Sequence, residues 1–198
     1  MQSTRSVSVK TLLKALPEGS YSVTGDTSIS IEAVTWDYQK VVPQTLYFCV
    51  EDEEFQEAHI ETNSLDYWET AVGAGAVCLL ANRGKISGQR SDICLIETDQ
   101  LNQAMALLTR AFYGDPMKEM KLIGITGTNG KTTTSQLIDS IMMHAGYTTG
   151  VIGTIGTFYP SGKEEASHLS NPMATEVFAI GSRMRSEEHT SELQSLLI

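Results

Sequence analysis

Residues 121–134 read K-L-I-G-I-T-G-T-N-G-K-T-T-T, an order of residue types suited to holding phosphate. Gly127 and Gly130 permit a tight turn with backbone N–H groups directed inward. Lys131 supplies a point charge for β- and γ-phosphates, and the Thr132 hydroxyl is an oxygen ligand for Mg2+. A helix starting at this point adds the positive end of its dipole. The general nucleotide-loop pattern G-x-x-x-x-G-K-[ST] requires glycine at position 125, where this chain has Ile125, so that pattern fails by one residue. The narrower run T-G-T-N-G-K-T-T, from Thr126 to Thr133, is complete.

The flanking residues are those a loop of this kind needs. Leu122, Ile123 and Ile125 form a short apolar run that predicts a buried strand. Leu137, Ile138, Ile141, Met142 and Ala145 then recur at helical spacing, and Gly146 offers a C-cap. Val151 to Ile155 is a second apolar run, so the unit reads β-loop-α-β, the repeat of a parallel nucleotide-binding sheet. Further upstream, Leu101, Ala104, Met105, Leu108, Ala111 and Phe112 predict a helix with Asp99 as its N-cap. Tyr113-Gly114-Asp115-Pro116 stops that helix. Strand-like runs Leu46–Val50, Ala76–Leu80 and Ile93–Ile96, a helix-like Tyr67–Ala74, a short helix over Val9–Leu16 and strands near Ile29–Val34 make the segment before it a small α/β domain. The predicted organisation is a first domain over 1–113 and the start of a second over 114–184.

From Arg185 the chain reads R-S-E-E-H-T-S-E-L-Q-S, a polar run unlike the sheet-building segments before it. It resembles the in-frame translation of a sequencing-library adapter, so 185–198 is read as a non-native tail, set apart from the fold. An ordinary polar helix is the alternative.

With 41% apolar residues in 198, the chain has enough to pack a core. No run reaches the ~18 apolar residues of a membrane helix, and no secretory signal pattern opens the chain, so the expectation is a cytoplasmic protein without membrane insertion. A net charge of -10 argues against nucleic acid as a partner. Cys49, Cys78 and Cys94 are odd in number and set in apolar runs, which favours buried thiols over disulfides or metal ligands. His59, His144 and His168 form no ligand spacing, and His189 stands among glutamates in the tail.

The T-G-T-N-G-K-T-T run resembles the ATP loop of the Mur ligases, cytoplasmic enzymes that add amino acids to the peptidoglycan precursor. The resemblance extends further. Ile31–Asp37 and Val42–Val50 look like the N-terminal domain of the branch that adds the third residue of the stem peptide, the MurE-type UDP-N-acetylmuramoyl-dipeptide:amino-acid ligases. Phe112–Pro116 resembles the join to the next domain, and Gly153-Thr154-Ile155-Gly156 the strand after the ATP loop. The resemblance implies an N-terminal UDP-sugar domain followed by the beginning of a P-loop central domain whose parallel sheet stops after two strands. It implies ATP and Mg2+ as cofactors, and a UDP-N-acetylmuramoyl-peptide and an amino acid as substrates. In that family ATP phosphorylates the carboxylate of the acceptor, and the incoming amine attacks the acyl phosphate. Lys131 would be the catalytic cation, Thr132 the Mg2+ ligand, and Gly127, Thr128, Asn129, Gly130 and Thr133 would complete the ATP contacts. The family's later Mg2+ ligands, carbamylated lysine and amino-acid-selecting domain would lie beyond residue 184, so this chain alone is expected not to turn over.

The acceptor residues depart from the family pattern. An aspartate-serine-arginine run becomes Asp37-Tyr38-Gln39, and histidine-glutamine-alanine becomes Glu53-Glu54-Phe55. Asparagine and two threonines that hold the sugar-peptide fall on Leu169, Ser170 and Asn171. Trp36, Tyr38, Ser170 and Asn171 are the candidate substrate contacts, with Trp36 expected to stack on uracil. Drift within a MurE-type enzyme and a paralogue with another acceptor both fit. Also open are a kinase, the related folylpolyglutamate and cyanophycin synthetases, and a non-catalytic nucleotide-binding protein.

Overall fold

The computed structural model of the protein describes residues 5–51, 64–87, 92–162, 164–165, 172–187 and 194–197. The chain divides into two units, Met1–Phe112 and Tyr113–Ile198.

The first unit contains β1 (Val7–Ser8), α1 (Val9–Leu13), β2 (Tyr21–Thr24), β3 (Ser30–Ile31), β4 (Ala33–Thr35), β5 (Thr45–Cys49), α2 (Trp68–Ala74), β6 (Ala76–Asn82), β7 (Cys94–Thr98) and α3 (Leu101–Tyr113). Its main sheet runs β2-β7-β6-β5-β4, parallel except for β2, while β1 and β3 form a separate antiparallel pair. Parallel strands covered on both faces need apolar residues on both, and every residue of β5 is buried. Tyr47, Cys49, Leu79 and Ala81 pack with Ala71 of α2 on one side. Their alternates Leu46, Phe48, Leu80 and Ile96 are buried on the other. The three cysteines are free and buried, with Cys78 and Cys94 register partners on β6 and β7.

Two local expectations change. Asp99 does not cap α3: its carboxylate accepts from Arg83 Nε at 3.0 Å, and Thr98 Oγ1 instead accepts the N–H of Gln100 ahead of the helix. Helix α1 ends at Leu13 rather than Leu16. Strand β2 was not legible, because Y-S-V-T lacks a strong apolar run.

Gly25 sits at φ +98°, and a Cβ there would lie 2.5 Å from the Ile93 carbonyl oxygen, which is backbone and cannot swing away. Gly25→Ala is therefore expected to destabilise the first unit by about 2 kcal/mol or more, read as a lowered midpoint in denaturant melts. An unchanged midpoint would show that the turn relaxes freely.

The second unit contains β8 (Lys121–Ile123), α4 (Lys131–His144), β9 (Thr148–Gly153), β10 (Gly156–Phe158), β11 (Glu164–Glu165), α5 (Ala174–Glu187) and β12 (Gln194–Leu197). The order is β11-β10-β9-β12-β8, with β12 parallel to both neighbours and β9-β10-β11 an antiparallel meander. The β-loop-α-β unit is present, but its strands are not adjacent: β12 lies between them, with Leu196 opposite Leu122 on one side and Gly150 on the other. A helix ~10 Å across covers two strand spacings of ~4.8 Å, so the unit leaves one strand's width open. The sheet thus has five strands among the described residues, with Gln194–Leu197 paired in it. Helix α5 runs on to Glu187, and Gln194–Leu197 fills the opening.

A small core of Met120, Ile152, Tyr159 and Met184 holds the unit. The Tyr159 hydroxyl donates to Glu165 Oε2 at 2.8 Å, and Arg183 Nη1 donates to Glu165 Oε1 at 2.6 Å. Burial, reinforced by Glu165, pushes the Tyr159 hydroxyl up to about 12. The buried-strand reading of β8 is corrected too, since Leu122 is 50% exposed. Helix α4 ends where Gly146 and Tyr147 N–H groups close on Met143 and Met142 carbonyls, a Schellman arrangement. Its apolar stripe faces outward, with Leu137 59% and Ile141 66% exposed. Leu137→Ser with Ile141→Ser is accordingly expected to shift the stability of this chain by no more than ~0.5 kcal/mol per site. A loss of several kcal/mol in a thermal melt would mean that the face is covered.

Candidate functional site

Strand β8 ends at Ile123, and residues 124–130 form an irregular loop whose last residue, Gly130, caps α4 at φ +80°. That left-handed conformation suits glycine and turns the chain sharply into the helix. The first helical bond after the loop runs from Thr134 N–H to Gly130 O. The N–H groups of Lys131, Thr132 and Thr133 thus point out of the helix end, toward where an anion would be held. Lys131 Nζ donates to the Gly127 carbonyl, which poises the ammonium over the loop. Thr128, Asn129, Gly130, Lys131 and Thr133 are exposed and Thr132 is partly so. The structure brings all seven loop residues to one helix end.

Beside the loop, a cavity of about 290 Å3 opens between α4 and the β9–β10 hairpin. Lys131, Thr132, Ser135 and Asp139 line the helix side, Thr154 and Phe158 the hairpin side. Thr149 Oγ1 donates to Asp139 Oδ1 at 2.5 Å. Sequence reasoning missed Asp139. It lies in an otherwise ordinary helix, and only the rotation of α4 turns it toward the sheet.

Thr132 offers one hydroxyl to a divalent cation, and among the described residues no group of three or more His, Cys, Asp or Glu could hold a metal. One hydroxyl suits Mg2+, which keeps several waters and takes its remaining oxygens from substrate phosphates. The residues present fit that ion only in this role.

In the first unit, the C-terminal ends of β4, β5 and β6 form the edge where parallel sheets bind ligands. Trp36, directly after β4, is only 8% exposed, so its ring offers no open face to a base, which corrects the expected stacking role. Tyr38 is partly exposed, and its ring stacks on Tyr67, with centroids 4.2 Å apart and planes 7° apart. Tyr67 was read from sequence only as the start of a helix. Asp37 caps the turn by accepting the Gln39 N–H at 2.9 Å. After β5, Glu51 accepts from Lys85 Nζ at 2.6 Å and Asn82 Nδ2 at 3.0 Å. Lys85, with Asn82, holds the Glu51 carboxyl below its usual range. Ser170, Asn171, Leu169 and the Glu53-Glu54-Phe55 run lie outside the described residues.

A strand leading into a glycine loop that caps a Lys-Thr helix start, in a sheet with parallel strands, is an α/β arrangement suited to holding nucleotide phosphate. Residues 125–191 match the profile of the Mur ligase middle domain. It is 32% identical over 162 residues to UDP-N-acetylmuramoyl-L-alanyl-D-glutamate--2,6-diaminopimelate ligase 1 of Clostridium acetobutylicum, covering 82% of this chain and 32% of that protein. It is 36% identical over 149 residues to the corresponding ligase of Geobacillus thermodenitrificans, covering 75% and 28%. The chain therefore spans about a third of the length of these relatives. A solved 2,6-diaminopimelate ligase of the same name shares the fold, with a TM-score of 0.68, 16% identity and coverage of 98% of this chain and 36% of that one. MurF from Acinetobacter baumannii does so at a TM-score of 0.55 and 14% identity, covering 98% and 35%. Among the described residues no helix is long and apolar enough to cross a membrane.

Proposed function

We propose that the chain carries the nucleotide-phosphate end of an ATP-dependent ligase of peptidoglycan-precursor synthesis, one that joins an amino acid to UDP-N-acetylmuramoyl-dipeptide in the cytoplasm. The observation that carries this reading is the loop at 124–130 with Lys131 and three free N–H groups at the head of α4. In this reading 1–113 binds the UDP-sugar, with the Tyr38–Tyr67 pair at its strand edge, and 114–184 begins the ATP-binding domain.

The chemistry follows from the charge on the reactants. A carboxylate is a poor electrophile. Its oxygen attacks the γ-phosphorus of ATP, the bond to ADP breaks, and the acyl phosphate that forms has a good leaving group. The amine of the amino acid then attacks the carbonyl carbon, releasing phosphate as the C–O bond breaks and the nitrogen gives up a proton. Lys131 shifts from the Gly127 carbonyl to the β- and γ-phosphate oxygens and screens their charge. The α4 N–H groups and Thr128, Asn129 and Thr133 hold them in line. Mg2+, held by Thr132 and phosphate oxygens, would supply further charge neutralisation.

The Tyr38–Tyr67 stack, where family members have serine and arginine after the aspartate, favours a second reading: a Mur-like ligase with another acceptor. Calorimetric titration of the chain with UDP-N-acetylmuramoyl-dipeptide separates the two. Micromolar binding supports the first, and ATP binding without it supports the second. Binding of neither would overturn both.

A further inference from the structure

We propose that the cavity between α4 and the β9–β10 hairpin accepts a hydrogen-bond-donor group, a primary ammonium or amide N–H on an apolar stem, with Asp139 as its anchor. The inference deepens the ligase reading of this site and rests on it. Asp139 is half-buried and faces the sheet from the middle of α4. It lines both the 290 Å3 cavity at the phosphate loop and a second of about 330 Å3 beyond it, which Tyr147, Tyr159 and Glu164 help to enclose. Its Oδ1 is fixed by Thr149 Oγ1, the one hydrogen bond its side chain makes among the described residues. A carboxylate has about four acceptor positions, so Oδ2 keeps its capacity for a ligand.

The surroundings select the ligand class. Ile125, Val151, Ile155, Phe158 and Pro172 give the first cavity apolar walls, which suit a stem. Lys131 stands eight residues earlier on the same helix, ~12 Å along its axis. Anion binding and Asp139 therefore occupy opposite ends: phosphate oxygens belong at the loop, and a second anion at Asp139 meets a like charge. A donor does not. Asp139 is thus a specificity-determining residue for a group that enters the cavity at the end away from the phosphates.

The test is amide NMR of the full chain titrated with n-hexylammonium, 1-hexanol and hexanoate, which share a stem and differ in head group. Hexylammonium is expected to bind most tightly and hexanoate least, with shifts at Gly153, Thr154 and Phe158. Asp139→Asn should weaken hexylammonium by roughly tenfold, the loss of a charge-assisted hydrogen bond, and close its gap to hexanol. A merely structural tie between α4 and β9 would not reorder the probes. Hexanoate binding as well as hexylammonium, an absence of shifts at those amides, or unchanged hexylammonium affinity in Asp139→Asn would each overturn the inference. If Asp139→Asn fails to fold, the order of the three probes on the unaltered chain still decides. Titration of the same sample with Mg-ATP keeps the two readings apart. Lost ATP binding with retained probe order removes the phosphate-loop function alone, and the reverse removes this inference alone.

Discussion

Lys131→Ala is expected to reduce the affinity of the chain for Mg-ATP by about thirtyfold or more, a loss of ~2 kcal/mol. The ammonium is the fixed positive charge at the loop, poised by the Gly127 carbonyl, and nothing else in residues 124–134 replaces it. The side chain is exposed, so the fold should survive the change and the loss should be one of binding. Calorimetry on the variant, with a thermal melt alongside, separates these effects. Wild-type affinity in Lys131→Ala would remove the loop from nucleotide binding. In a full-length ligase built on this segment, the same substitution is expected to stop ATP-dependent ligation, because the phosphoryl oxygens would lose their cation during transfer.

Deletion of residues 188–198 should unfold much of the second unit and leave the first untouched. Among the described residues the only sheet neighbour of β8 is β12, paired at three positions, and β12 is also paired with β9 at four. Each backbone hydrogen bond contributes about 1 kcal/mol net, so losing both ladders approaches the whole stability of a small domain, ~5 kcal/mol. Exposing the open edges of β8 and β9 also invites association. Hydrogen exchange reads this directly: amides at 121–123 and 148–151 should exchange fast in the deletion, while β5 and β6 keep their protection. The intact chain should resist protease at 194–197. Unchanged protection of β8 in the deletion would show that β12 contributes nothing to it.

Legibility varied with the range of the interaction. The α3 stripe was readable because Leu101, Ala104, Met105, Leu108 and Phe112 repeat on one helical face and are buried on it. The same spacing in α4 predicted a helix, but there Leu137 and Ile141 are exposed. Periodicity marks which residues share a face; what the face meets depends on distant segments. Trp36 was misread for a related reason. Its aromatic type fits both a base platform and a core residue, and only packing after β4 turned it inward. Ser64, whose hydroxyl donates to the Phe48 carbonyl and accepts the Val50 N–H, ties the end of β5 across many residues of chain and had no local signal.

The sequence by itself determined the glycine loop ahead of a Lys-Thr helix start, the α/β class and the break after the α3 helix. Those features rest on local chemistry: glycines where φ must be positive, a lysine and threonine at a helix start, and apolar runs of strand and helix period. Tertiary structure alone decided the insertion of β12 between β8 and β9, the stacking of Tyr38 on Tyr67 and the inward turn of Asp139 toward Thr149. Each of these joins residues far apart in the chain or depends on how one helix is rotated against a sheet. Such placements follow from the best packing of whole elements, which no local run of residues encodes.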